Sequence, residues 1–76
     1  MSAKAVTVPG MLDVFTYTPG DGCRYRWTKT GAIVVERITT VAGVLVMVPT
    51  GDLIPAPVTR TATAFMDAVD AWRSAP

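Results

Sequence analysis

The chain predicts an α+β domain: a four- to five-stranded antiparallel sheet, run as a meander, with one C-terminal helix packed on one face. Three observations carry this. Turn residues recur at short intervals, at Pro9-Gly10, Pro19-Gly20-Asp21-Gly22, Thr30-Gly31, Ala42-Gly43 and Thr50-Gly51-Asp52. Between them lie runs rich in Val, Ile, Thr and aromatics, which suit pleated, half-buried surfaces. Beyond Pro55 and Pro57 the apolar period becomes helical.

Strands are expected at about 3–8, 12–18, 23–29, 32–40 and 44–48. The register of the 12–29 hairpin follows from its loop. With Gly20-Asp21-Gly22 as a three-residue loop and Gly22 in the left-handed conformation, Tyr17 meets Tyr25, Phe15 meets Trp27 and Asp13 meets Lys29. Phe15, Tyr17, Cys23, Tyr25 and Trp27 then share one face. A two- or four-residue loop would set the rings of the first strand against Arg24 and Arg26, giving up cross-strand aromatic pairs of roughly 0.2–1 kcal/mol each. In the next hairpin, a two-residue turn at Thr30-Gly31 would put Arg24 opposite Arg37, a like-charge pair that calls for an anion or an acidic partner.

Val44-Leu45-Val46-Met47-Val48 shows no alternation, so it reads as a strand covered on both faces. The helix supplies one cover. A second copy of the chain or a partner protein supplies the other, because a chain this short holds no further candidate. The Pro-rich segment 49–58 reads as an extended strap from which Leu53 and Ile54 can turn into the core.

A helix is expected over about 60–74. Ala62, Phe65, Met66, Val69 and Trp72 form its apolar stripe, with Arg60, Thr63, Asp67, Asp70 and Ser74 opposite. Thr59 or Thr61 caps its start, and Arg73 suits the negative end of the helix dipole.

Seventy-six residues make one small domain, whose core needs support from a disulfide, a metal or oligomerisation. Cys23 is the only cysteine and histidine is absent, so neither an intrachain disulfide nor a Cys/His metal set is available, and no cofactor is implied. Oligomerisation is what remains. The composition agrees, being 50% hydrophobic and 17% charged, against about 25% charged in an average soluble domain. The net charge of +1 gives no global attraction for phosphate or an anionic membrane. No apolar run is long enough to span a bilayer and no secretory signal is visible, so a soluble, cytoplasmic protein is expected. The absence of Asn and Gln fits a GC-rich coding sequence, such as that of a high-GC bacterium or its phage.

The chemistry-bearing residues point away from catalysis. Asp21 and Asp52 sit beside glycines in turns, where aspartate serves the backbone. Asp67 and Asp70 fall on the solvent face of the helix. Cys23 lacks any histidine base and reads as a structural thiol. Neither "PGDG" nor "PTGD" opens a helix, so neither cradles phosphate. That leaves "CRYRWTK", in which rings and cations alternate faces. Exposing the rings to stack bases would bury the arginines, so Tyr25 and Trp27 are assigned to the core or a subunit interface. Arg24 and Arg26 point outward and, with Arg37, form the candidate partner-binding patch. Val44, Val46 and Val48, with Tyr25 and Trp27, form the candidate oligomer interface. The functional expectation is a non-enzymatic protein–protein interaction module, homodimeric and bound to a further protein, of an accessory, regulatory or phage-encoded kind. The alternative is a small nucleic-acid-binding regulator that holds phosphates with the arginine patch.

Overall fold

In the computed structural model, residues 6–7, 14–29 and 31–75 are described. Five strands, β1 (Val6–Thr7), β2 (Phe15–Tyr17), β3 (Cys23–Trp27), β4 (Ile33–Val41) and β5 (Val44–Ile54), precede one helix, α1 (Ala62–Ser74). The strands lie in one sheet in chain order, each antiparallel to the next. The α+β meander is therefore the fold. The outer parts of the expected strand 3–8, and the Asp13–Lys29 pair, fall outside the described residues.

The β2–β3 hairpin has the register that its aromatics demand. Phe15 opposes Trp27 and Tyr17 opposes Tyr25, across a loop in which Gly22 has a φ of +86°. A side chain at that φ would clash with its own backbone, so glycine is the residue that closes the loop without strain. The β3–β4 hairpin differs from expectation. Its pairs run from Cys23–Arg37 to Trp27–Ile33, one residue off the register that a two-residue turn would give, and Thr30 lies outside the described residues. Arg24 consequently meets Glu36, and Arg37 meets Cys23. In the expected register Glu36 would have faced Tyr25 beneath the helix. Keeping that carboxylate out of the apolar core is the physical reason for the one-residue shift.

Strand β5 is also longer than expected, because what reads as a stiff strap begins as strand. Pro49, Leu53 and Ile54 continue the ladder with β4. The register changes between Val34 and Glu36, where Thr50–Asp52 bulge opposite Val35. The Thr50 hydroxyl lies 3.2 Å from the Val35 carbonyl and accepts from the Asp52 amide at 3.2 Å, holding the bulge. Beyond it Ile54 returns to the core while Leu53 stays 62% exposed.

Helix α1 starts at Thr61, whose hydroxyl accepts from the Ala64 amide at 3.1 Å, and it carries Arg73 in its last turn. Phe65 and Val69 are fully buried. Phe65 is the wedge of the core: its ring lies 5.7 Å from Phe15, 5.8 Å from Trp27 and 6.1 Å from Tyr17. The Phe15 and Trp27 rings stack at 5.7 Å, and the Arg60 guanidinium lies 4.4 Å from the Trp27 centroid, over the same pair. Ile33, Val35 and Ile54 complete the cluster.

The helix covers only part of the sheet. Thirteen residues span roughly 20 Å at 1.5 Å per residue. The eleven of β5 run to roughly 37 Å at 3.4 Å per residue. The hairpin end of β4 and β5 therefore overhangs, and no residue between Glu36 and Asp52 belongs to the core cluster. The expected cover of Val44–Val48 by the helix does not form, for Val44, Leu45 and Val48 stay 62%, 65% and 46% exposed.

Because three aromatic side chains meet on Phe65, Phe65→Ala should cost about 3–5 kcal/mol. In a domain this small that removes most of the stability. Circular dichroism melts should give a Tm lowered by at least about 15 °C, or no cooperative transition; a fall of only a few degrees would contradict this account of the core.

Candidate interaction surface

The face of the sheet away from α1 carries the cations. Alternation along β3 turns Cys23, Tyr25 and Trp27 toward the helix and Arg24 and Arg26 away from it. Cross-strand pairing brings Glu36 to the same outer face. Arg24 donates to Glu36 Oε1 from Nε at 2.9 Å and from Nη2 at 2.6 Å, and Arg26 Nε lies 3.5 Å from Oε2. Glu36 is buried, the sole buried charged residue among those described. Two cations thus flank one carboxylate, and about half of their charge is neutralised at source. Arg37 does not join them: opposite Cys23 and Val48, it projects from the helix side. The three arginines do not form one patch.

Tyr25 and Trp27 are 1% and 4% exposed, inside the chain's own core. Of the two places expected for them, the core is the one they fill. Their neighbourhood holds a polar clamp instead. The Tyr17 hydroxyl donates to Asp70 at 3.0 Å and the Tyr25 hydroxyl to Asp21 at 2.6 Å. Arg73 bridges the two carboxylates, 2.9 Å from Asp21 and 3.1 Å from Asp70. The Cys23 amide donates to Asp21 at 3.0 Å. The clamp fastens the last turns of α1 to the β2–β3 loop. Asp21 and Asp70, which read from sequence as a turn residue and a solvent-face residue, therefore hold tertiary structure.

The valine run is where apolar surface lies open. β5 is an edge strand, paired on one side only. Val41, Val44, Leu45 and Val48 are 58%, 62%, 65% and 46% exposed. Cross-strand pairing sorts them. Val41 with Val44, Thr39 with Val46 and Arg37 with Val48 lie on the helix side of the sheet, while Thr40 with Leu45 and Ile38 with Met47 lie on the other. The hairpin end is apolar on both sides and along its rim. Val44, Val46 and Val48 keep their place as interface candidates, and Val41, Leu45 and Met47 join them.

Among the described residues no group of His, Cys, Asp and Glu could hold a metal ion, and no helix is long and apolar enough to cross a membrane. Comparison with known protein families, curated proteins and solved structures gives no match to this chain.

The clamp predicts a pH profile. Burial would raise the Asp21 carboxyl, but the Tyr25 hydroxyl, the Cys23 amide and Arg73 outweigh it and hold the group below the usual carboxylate range. Its stabilisation is complete above the unfolded value of ~3.9 and is lost as pH falls through the lower folded value. Burial, then the hydrogen bond to Asp21, pushes the Tyr25 phenol well above 10, and burial with Asp70 raises Tyr17. Their stabilisation is complete below the unfolded value of ~10 and is lost at higher pH. Asp21→Asn should therefore lower stability by about 1 kcal/mol at neutral pH. In urea melts that difference should vanish below the acid limb, and a difference independent of pH would refute the assignment. Absorbance at 295 nm should register less tyrosinate in the folded protein near pH 10 than two exposed tyrosines would give.

Proposed function

We propose that this chain is a non-enzymatic protein-interaction module that acts through its exposed β4–β5 hairpin and assembles with itself, in the first instance as a dimer. The observation that carries this is the apolar hairpin end, left uncovered in a chain whose core is otherwise filled. Contiguous apolar surface of this kind marks interaction sites in soluble domains, because leaving it in water invites aggregation. The small size of the domain points the same way, since the missing stability can come from a second copy. An accessory, regulatory or phage-encoded role for such a module agrees with the GC-rich coding bias, and a further protein partner would be captured by the same hairpin.

The arginines supply weaker support for nucleic-acid binding. Arg24 and Arg26 share the Glu36 carboxylate, Arg37 lies on the opposite side of the sheet, and the whole chain is only +1. Phosphate binding draws on clustered, uncompensated cations.

Light scattering on a sizing column should give about twice the 8.1 kDa chain mass. Val46→Lys should return the mass to that of one chain with only a modest fall in melting temperature, because the site is half-buried and outside the core cluster and lysine is the residue that natural edges use to repel pairing. A wild-type monomer at ~100 μM would overturn the proposal. A labelled oligonucleotide, single-stranded or duplex, should show no binding at ~50 mM salt, where phosphate contacts are strongest. Binding that weakens steeply with salt and is lost in Arg24→Ala with Arg26→Ala would replace the interaction module by a nucleic-acid regulator.

A further inference from the structure

We infer that β5 pairs antiparallel with β5 of a second copy about a two-fold axis at Val46, joining two sheets into one. This rests on the interaction reading above and specifies its geometry. The backbone gives the first argument. Ala42 and Gly43 both have positive φ, +53° and +79°, the signature of a two-residue type I′ turn. Such a turn makes Val41 and Val44 a hydrogen-bonded pair, so that Val44, Val46 and Val48 direct their N–H and C=O groups at β4. Leu45, Met47 and Pro49 then direct theirs outward. Pro49 corroborates the parity, since its missing N–H falls where β4 needs no donor.

The distribution of edge protection gives the second. Natural edge strands are blunted by proline, bulges and charge. On β5 these devices occupy the second half: Pro49, the Thr50–Asp52 bulge and the Asp52 carboxylate. The first half, Val44–Val48, has none. Protection that stops at Val48 leaves a window of five residues whose centre is Val46.

Register follows from the same groups. Centred on Val46, Leu45 and Met47 of each copy exchange both backbone bonds with Met47 and Leu45 of the other, and every outward N–H finds an acceptor. Centred on Met47, Leu45 would face Pro49, which leaves its carbonyl without a donor. Centred on Leu45, Met47 would fall against the turn. In the Val46 register the side-chain pairs are Val44 with Val48, Leu45 with Met47 and Val46 with itself, all apolar, as a self-complementary two-fold contact requires. The charges agree. Arg37 of the two copies would lie roughly 20 Å apart on the strand and residue spacings, beyond the Debye length of ~8–10 Å. A second copy is thus accepted without like-charge repulsion.

Amide exchange followed by NMR tests this directly. As the protein concentration is raised through dimer formation, Leu45 and Met47 should exchange at least ~10-fold more slowly. Val44, Val46 and Val48, already bonded to β4, should change little. In a Cys23→Ala background, Val46→Cys should oxidise to a covalent dimer, because non-hydrogen-bonded partners lie ~4.5 Å apart at Cα, within disulfide reach. Leu45→Cys and Met47→Cys should not cross-link to themselves. If light scattering reports a dimer but Leu45 and Met47 gain no protection and Val46→Cys stays reduced, the edge register is overturned while self-association stands. If the wild-type chain is a monomer at every concentration, both fall, and a protection pattern acquired only on adding a foreign peptide strand would assign the edge to that partner.

Discussion

Alternation along Cys23–Trp27 sends two rings to one side of the sheet and two cations to the other, and both sides of the molecule are built on that split. On the ring side, Tyr25 and Trp27 complete a floor with Tyr17 and Phe15 on which Phe65 seats the helix. On the cation side, Arg24 and Arg26 need a counter-charge, and Glu36 of β4 supplies it. A one-residue slip of β4 would fail on both sides at once. It would drive Glu36 under the helix against Tyr25 and set Arg24 against Arg37, so that a carboxylate now buried with its cations would be buried without them. The β3–β4 register is therefore fixed by side-chain chemistry across the pair.

That dependence explains what was legible in the sequence. The β2–β3 register could be read because loop and side chains agree: a glycine at the left-handed position and four rings that pair. The β3–β4 register is not fixed by the Thr-Gly dipeptide, whose two-residue turn is one option; the single glutamate in the chain decides it. Glu36 carried the signal, since Ile33-Val34-Val35-Glu36 offers apolar residues for either face and only the carboxylate decides between them. The helix was legible throughout, from the Thr61 cap to the stripe of Phe65, Met66 and Val69. Asp21 and Asp70 were not legible as clamp residues, because the partners that give them a role are about 50 residues distant in sequence. Local reading assigns such aspartates to turns and solvent.

The clamp also shows how a short helix is held. α1 buries only Phe65 and Val69 completely, so apolar burial concentrates near its middle. Its C-terminal turns are fixed instead by Arg73 between Asp21 and Asp70, with Trp72 set edge-on to Tyr25 at 6.3 Å. Hydroxyls of two core tyrosines reach out to those carboxylates, so each large ring that fills the core also anchors its polar tip at the boundary. The polar network closes one end of the sheet–helix layer and leaves the other end open.

The open end is the overhanging hairpin, and its composition is informative because it defies two separate expectations. An apolar run without alternation normally signals cover on both faces, yet the helix is too short to reach Val44–Val48. An exposed edge normally carries a charge or a kink, yet here those devices begin only at Pro49. Either feature alone could be a packing accident in a small domain. Together they delimit the same five residues. A chain able to place a proline at an outward position and a bulge directly after it has the means to blunt its whole edge; blunting half of it leaves a pairing surface of defined length with a fixed hydrogen-bond parity. The core and the clamp make the domain fold, and the unblunted half of β5 determines what it can meet.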